Sequence, residues 1–140
     1  MNILLFLTPK QEVTLLYEDY TIGQALRSME HASRTAVPII RRTGEYVGTI
    51  TEGDLLWYVR ATGLTFEELD KQPLSLVPHR RDNKPLLATL DLTDLLETSL
   101  NQNFAPVVDD RGMFIGIITR KRVFSYLYNE MKLQAFLKGE

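Results

Sequence analysis

The sequence predicts a mixed fold of helices and strands made twice over, as two β-α-β-β-α units in tandem. Three observations predict it. Shifting the 140-residue chain against itself by 68 positions lays Pro38 on Pro106, Gly44 on Gly112, Gly48 on Gly116, Ile50 on Ile118 and Thr51 on Thr119, and self-similarity at one spacing marks a repeated structural unit. Inside each copy, β-rich runs alternate with helical periodicity. At 44% apolar and 24% charged residues, the chain has the balance of a globular protein with a core to bury.

The elements follow in order. "ILLFL" (Ile3 to Leu7) stops at Thr8-Pro9-Lys10, too short for a signal core or a membrane span, and is expected to pack on the body of the protein. "EVTLL" (Glu12 to Leu16) reads as a short extended stretch. Ile22, Ala25, Leu26 and Met29 then recur at helical spacing, with Thr21 and Gln24 placed as a capping box. "AVPII" and "EYVGTI" flank Arg-Arg-Thr-Gly as a hairpin. A second helix carries Leu55, Leu56 and Val59. Thr65 with Glu68 and Leu64 with Leu69 form a capping box and a hydrophobic staple, so the connection is an ordered helix rather than a tether.

The second copy repeats the pattern. "PLLAT" precedes a helix capped by Asp91 and bearing Leu92, Leu95 and Leu96; "APVV" and "MFIGII" flank Asp109 to Gly112; and a last helix carries Val123, Phe124 and Leu127. The expected boundaries are 1–63 for the first unit, 64–73 for the linker, 74–131 for the second unit and 132–140 for a C-terminal extension.

Composition narrows the function. The net charge of −2, with basic clusters short and interrupted by acids, argues against nucleic acid, and no stretch suits a membrane. There is no cysteine, which excludes disulfides and thiolate chemistry and fits the reducing cytoplasm, the expected compartment. His31 and His79 stand at no metal-ligand spacing, and no nucleophile elbow or glycine-rich nucleotide motif is present. No catalytic residue, metal or cofactor is expected: the chain reads as a binder, not an enzyme.

The segment for ligand chemistry is "GTITEGD" (Gly48 to Asp54), with its near copy "GIITRKR" (Gly116 to Arg122). Thr51 caps a helix and Asp54, three residues on, suits its positive end. The same corner has free amides for an anion and a carboxylate able to accept two hydrogen bonds from a sugar diol. Capping alone and capping with binding both remain open.

The element order, the Ala-Val/Ile-Pro start of the hairpin and Gly-x-x-Thr-x-x-Asp leading into the last helix resemble the CBS domain, across roughly Phe6 to Leu127. Two such domains in tandem form a CBS pair, and the resemblance implies an α+β fold whose repeats pack about a pseudo-twofold axis, leaving two clefts for adenine nucleotides or related adenosyl ligands. It implies that Asp54 takes the ribose hydroxyls and Thr51 the ribose or phosphate. Adenine would lie between Ala36, Val37 and Pro38 and the first extended segment, Val13, Leu15 and Leu16. The second copy departs from the pattern: Arg122 stands where the acid belongs, and a guanidinium only donates. Thr119, Arg120, Lys121 and Arg122 would instead meet phosphates, and His79, Arg80 and Arg81 lie in a loop beside the cleft. The expectation is one ligand per chain, held through Asp54.

The resemblance thus implies a sensor of AMP, ADP, ATP, S-adenosylmethionine, NAD or cyclic di-AMP that signals to an unknown partner. The alternative is a ligand-free scaffold. Either implies a homodimer through the last helices, which carry Trp57, Tyr58, Tyr126 and Tyr128.

Overall fold

The computed structural model describes residues 2–80 and 82–139. In chain order it holds β1 (Thr8–Pro9), β2 (Leu16–Tyr17), α1 (Ile22–Ala32), β3 (Ala36–Ile40), β4 (Tyr46–Thr51), α2 (Glu52–Thr62), α3 (Phe66–Leu69), β5 (Leu86–Leu87), α4 (Leu92–Asn101), β6 (Phe104–Val108), β7 (Phe114–Thr119) and α5 (Arg120–Leu137). Two sheets result, one in the order β2-β3-β4 and one in the order β1-β7-β6-β5. Each contains a parallel pair followed by an antiparallel hairpin, with Leu16 opposite Ile39 in the first and Leu86 opposite Val107 in the second, where β1 adds antiparallel to β7. The α+β architecture is that of two repeated units.

Local chemistry explains the helix starts. Thr21 and Thr65 each accept from the amide three residues on, while Gln24 and Glu68 return a bond to the cap. At α4, Asp91 accepts from the amide of Asp94. The hairpins turn at Gly44 and Gly112, with φ of +110° and +79°, a region that suits glycine.

Each unit has its own core. Leu16, Ile22, Val37, Ile50 and Leu55 gather in the first, together with Leu69, Leu74 and Val77 of the connection. Leu95, Val107, Ile118 and Val123 gather in the second, and Ile3 and Phe6 join them. The N-terminal segment therefore packs on the far unit, not on its own. Burial of Ile3 and Phe6, each worth roughly 1.5–3 kcal/mol, holds β1 against β7 with Thr8 opposite Ile117 and Pro9 opposite Gly116.

The two units meet about a pseudo-twofold axis at their hairpins. The amide of Tyr46 donates to Gly112 O (3.2 Å) and that of Phe114 donates to Gly44 O (3.0 Å). Residues 46 and 114, like 44 and 112, differ by 68 positions, so each bond is the image of the other. The rings of Tyr46 and Phe114 stack across the axis, 6.3 Å apart.

Upstream of the hairpins the offset is 70: Leu16 corresponds to Leu86 and Thr21 to Asp91. The first helix is one residue longer than its copy, 11 against 10, and its connection to the hairpin, 33–35 against 102–103, is longer by one more. The connection between units is fastened down, since Ile22 N donates to Gln72 O (2.9 Å) and Leu74 N to Tyr20 O (2.8 Å). α5 runs unbroken to Leu137, past residue 132, where an extension was expected to begin.

Of the four aromatics expected at a dimer face, Tyr58 and Tyr126 pack against the cores. Trp57 and Tyr128 are 41% and 62% exposed.

Candidate functional site

The corner at Thr51 is a complete capping box. The amide of Asp54 donates to Thr51 Oγ1 (3.1 Å) and the amide of Thr51 donates to Asp54 Oδ2 (2.9 Å). Asp54 Oδ1 accepts from the amide of Arg80 (3.0 Å), and the residue is only 2% exposed. Both carboxylate oxygens are thus taken by backbone amides within the chain. At the copy, Arg122 N donates to Thr119 Oγ1 (3.2 Å), but no acid returns the bond; the Arg122 side chain reaches Leu5 O (3.4 Å) at the N-terminal segment instead.

Two clefts flank the pseudo-twofold axis, and each draws walls from both units. The first, of about 370 Å³, is bounded by Thr8, Glu12, Val13 and Thr14 of the approach, by Arg34 to Pro38 of the first hairpin's start, and by Asn103, Phe104, Ile117, Thr119 and Lys121 of the second unit. The second, about 770 Å³ and more polar, is bounded by Thr49, Thr51 and Glu52 of the first unit and by Arg80, Asp82, Asn83, Lys84, Gln102, Asn103 and Arg120 of the second. Thr35, Ala36 and Asn103 border both.

Every unit's approach segment crosses to the other unit's edge strand, and this rearranges the expected site. Ala36, Val37, Pro38 and Val13 were expected to share a site with Asp54; Val37, Pro38 and Val13 line the cleft of Thr119 and Lys121, and Ala36 borders that cleft and the one of Thr51 as well. Thr51 faces Arg80 and Arg120. Leu15 is half-buried and borders neither cleft. The basic trio divides: Arg120 borders the second cleft, Lys121 the first, and Arg122 neither. Arg120 Nε also donates to Ser99 O (2.8 Å) and Gln102 O (3.1 Å), closing the end of α4. The expectation for Arg81 lies outside the described residues.

The approach segments differ in how they cover the edge strands. On β7 the cover is backbone, and Gly116 is needed because a Cβ there would stand 2.2 Å from Thr8 O. On β4 it is side chain: Asp82 Oδ1 accepts from Thr49 N (2.9 Å) and pairs with His79 Nδ1 (2.9 Å). A Cβ on Gly48 would lie 2.8 Å from both groups. Arg80 lays its guanidinium toward the Trp57 ring, 5.1 Å from the centroid.

A polar cluster closes the second cleft's inner wall. Tyr46 Oη donates to Asn83 O (2.7 Å) and lies 2.6 Å from Thr49 Oγ1, while Asn83 Nδ2 donates to Asn103 Oδ1 (3.2 Å). Burial pushes the Tyr46 hydroxyl above its usual range. Asn83 occupies the place that Val13 holds in the first cleft under the 70-residue offset, so the apolar slot of one cleft is amide-lined in the other.

Sequence reasoning did not single out Glu12, Arg34 or Asn103. The crossing of approach segments, the signal that would have found them, requires the two offsets to be separated.

Among the described residues, no group of three or more His, Asp or Glu gathers as for a metal, and no helix is long and apolar enough to cross a membrane.

The family model of the CBS domain matches residues 7–61 and 79–129. Among solved structures, CbpB in complex with c-di-AMP has a TM-score of 0.86 at 23% identity, covering 100% of this chain and 91% of that one. A CBS domain protein from Streptococcus pneumoniae has a TM-score of 0.83 at 26% identity, covering 91% and 86%. CBSX2 from Arabidopsis thaliana has a TM-score of 0.75 at 22% identity, covering 94% and 96%, and CBSX2 in complex with AMP one of 0.73 at 22% identity, covering 93% and 98%. A curated relative, homoserine O-acetyltransferase of Methanohalophilus mahii, is 28% identical over 109 residues, 78% of this chain but 21% of that enzyme, so the chain spans about a fifth of its length. The two matched segments coincide with the two structural units, and the chain belongs to the CBS-domain family as a tandem pair.

Proposed function

We propose that the chain is a regulatory module that takes one adenosyl-type ligand, of the AMP, ADP, ATP, S-adenosylmethionine or cyclic di-AMP class, in the first cleft and reports it to a partner protein. The observation that carries this reading is the first cleft's composition. Val13, Val37 and Pro38 offer an apolar slot for a flat base, beside the N-terminus of the 18-residue α5, with Arg34 and Lys121 at hand for phosphate. Solved CBS-pair relatives holding c-di-AMP and AMP support the ligand class.

Signalling follows from the cleft's construction. Its walls come from both units, so a ligand there favours whichever relative packing of the halves fits it best. Binding proceeds without turnover in this reading, in the cytoplasm. The exposed residues of α5, among them Phe124, Tyr128, Met131 and Phe136, support assembly as a homodimer.

A thermal-shift panel over these ligands tests the proposal. A ligand at 100 times its Kd stabilises by about 2.7 kcal/mol, which moves Tm by roughly 5–10 °C for a chain of this size. A panel that leaves Tm unmoved removes the sensor reading and favours the scaffold.

A further inference from the structure

We infer that Glu12, not the acid of the helix-cap motif, supplies the carboxylate that accepts a ribose diol in the first cleft. The inference rests on the reading of that cleft as the adenosyl site.

The argument is one of elimination among carboxylates. A diol is best held by an ionised acceptor, since each hydroxyl can donate to one oxygen. The motif position of the second unit holds Arg122, which only donates and is turned toward Leu5. Asp54, the motif acid of the first unit, does not border the first cleft, is 2% exposed, and already accepts an amide at each oxygen. Among the described residues, Glu12 is the only carboxylate bounding the first cleft.

Comparison with its counterpart strengthens the case. Under the 70-residue offset Glu12 corresponds to Asp82, and both acids border a cleft from the approach segment. Asp82 is committed to Thr49 N and His79. Glu12 is exposed and pairs with no cation among the described residues. The acid that is structural in one cleft is free in the other.

Calorimetry with AMP and with 2′,3′-dideoxy-AMP decides it, on the parent, Glu12→Gln and Lys121→Ala. Glu12→Gln removes one charge from an exposed side chain that has no hydrogen-bond partner among the described residues, so folding is not at stake. AMP should bind Glu12→Gln roughly 10-fold or more weakly, as expected for lost hydrogen bonds to a charged group, while dideoxy-AMP should bind parent and variant alike. If AMP binds Glu12→Gln as tightly as the parent while Lys121→Ala weakens it, the cleft reading stands and the role of Glu12 is overturned. Equal loss for both nucleotides also overturns it, since Glu12 would then act on something other than the diol. If the parent binds no AMP, the inference falls together with the cleft reading.

Discussion

The two clefts are built from copies of one unit and have diverged in opposite directions. In the first, β1 seals the far unit's edge with backbone hydrogen bonds, and the side chains behind it are left free to line an apolar slot. In the second, no strand among the described residues pairs with β4 on that side, and Asp82, held by His79, does the sealing, while the amide of Arg80 fastens the segment to Asp54. Side chains used to close an edge are not available for a ligand. The cover of the edge strand therefore sets which side chains each cleft can offer.

The largest test of this difference is at the paired glycines. Gly116→Ala drives a Cβ against the Thr8 carbonyl, and backbone cannot step aside without unseating β1 and the buried Ile3 and Phe6. Gly48→Ala meets first the ends of the Asp82 and His79 side chains, which can turn away at the cost of the bond to Thr49 N. Chemical denaturation should show a loss of about 3 kcal/mol for Gly116→Ala and about 1 kcal/mol for Gly48→Ala, the two ends of the overpacking range. Equal losses would mean that the two seals are equivalent.

Next in size is Asp54→Ala. The substitution leaves the amides of Thr51 and Arg80 without acceptors and removes an acid from a helix N-terminus. Stability should fall by about 2 kcal/mol, near the upper value for loss of a cap. AMP affinity should stay within about twofold, because 1.4 kcal/mol of lost contact would already be tenfold. A tenfold loss of affinity without a loss of stability would restore Asp54 as the ribose acceptor.

The repeat, the order of elements and the caps at Thr21, Thr51 and Thr65 were legible because they depend on residues close in sequence. The pairing of walls was not. Val37 and Thr119 are 82 positions apart and share a cleft only because approach segments cross the pseudo-twofold axis, which periodicity does not report. The fate of Asp54 was hidden for a similar reason. Its motif is the same whether Oδ1 faces a ligand or the amide of Arg80, and only the path of the loop after Val77 distinguishes them. Arg122 was legible as a non-acceptor, but not as a residue that leaves the cleft altogether.

The capping threonines give a smaller contrast. Thr51 shares its cap with a buried acid, whereas Thr119 caps an exposed turn where water can replace it. Thr51→Ala should cost about 1.5–2 kcal/mol and Thr119→Ala about 0.5–1 kcal/mol, within the span known for caps. Denaturant midpoints at unchanged slope measure both. A costlier Thr119 would place the more demanding corner at the first cleft.

The last effect, and the one most specific to the second cleft, concerns Tyr46. Its hydroxyl donates to Asn83 O, a carbonyl with no proton of its own, so the Thr49 hydroxyl must be the donor in the 2.6 Å contact with Tyr46 Oη. Ionisation would leave a phenolate facing that carbonyl in a buried place, and burial accordingly raises the pKa above the ordinary tyrosine value of about 10. The neutral form is thus favoured by folding. Its contribution is complete below pH 10 and is lost as the pH rises from there toward the folded-state pKa. Tyr46→Phe keeps the stack on Phe114 but leaves Asn83 O without this donor, so it should cost about 1 kcal/mol at pH 7. Between pH 10 and 11 the parent should lose stability faster than the variant, and the gap between them should shrink. Parallel curves across that range would show that the hydroxyl is not sealed in, and that the second cleft's inner wall is open to water.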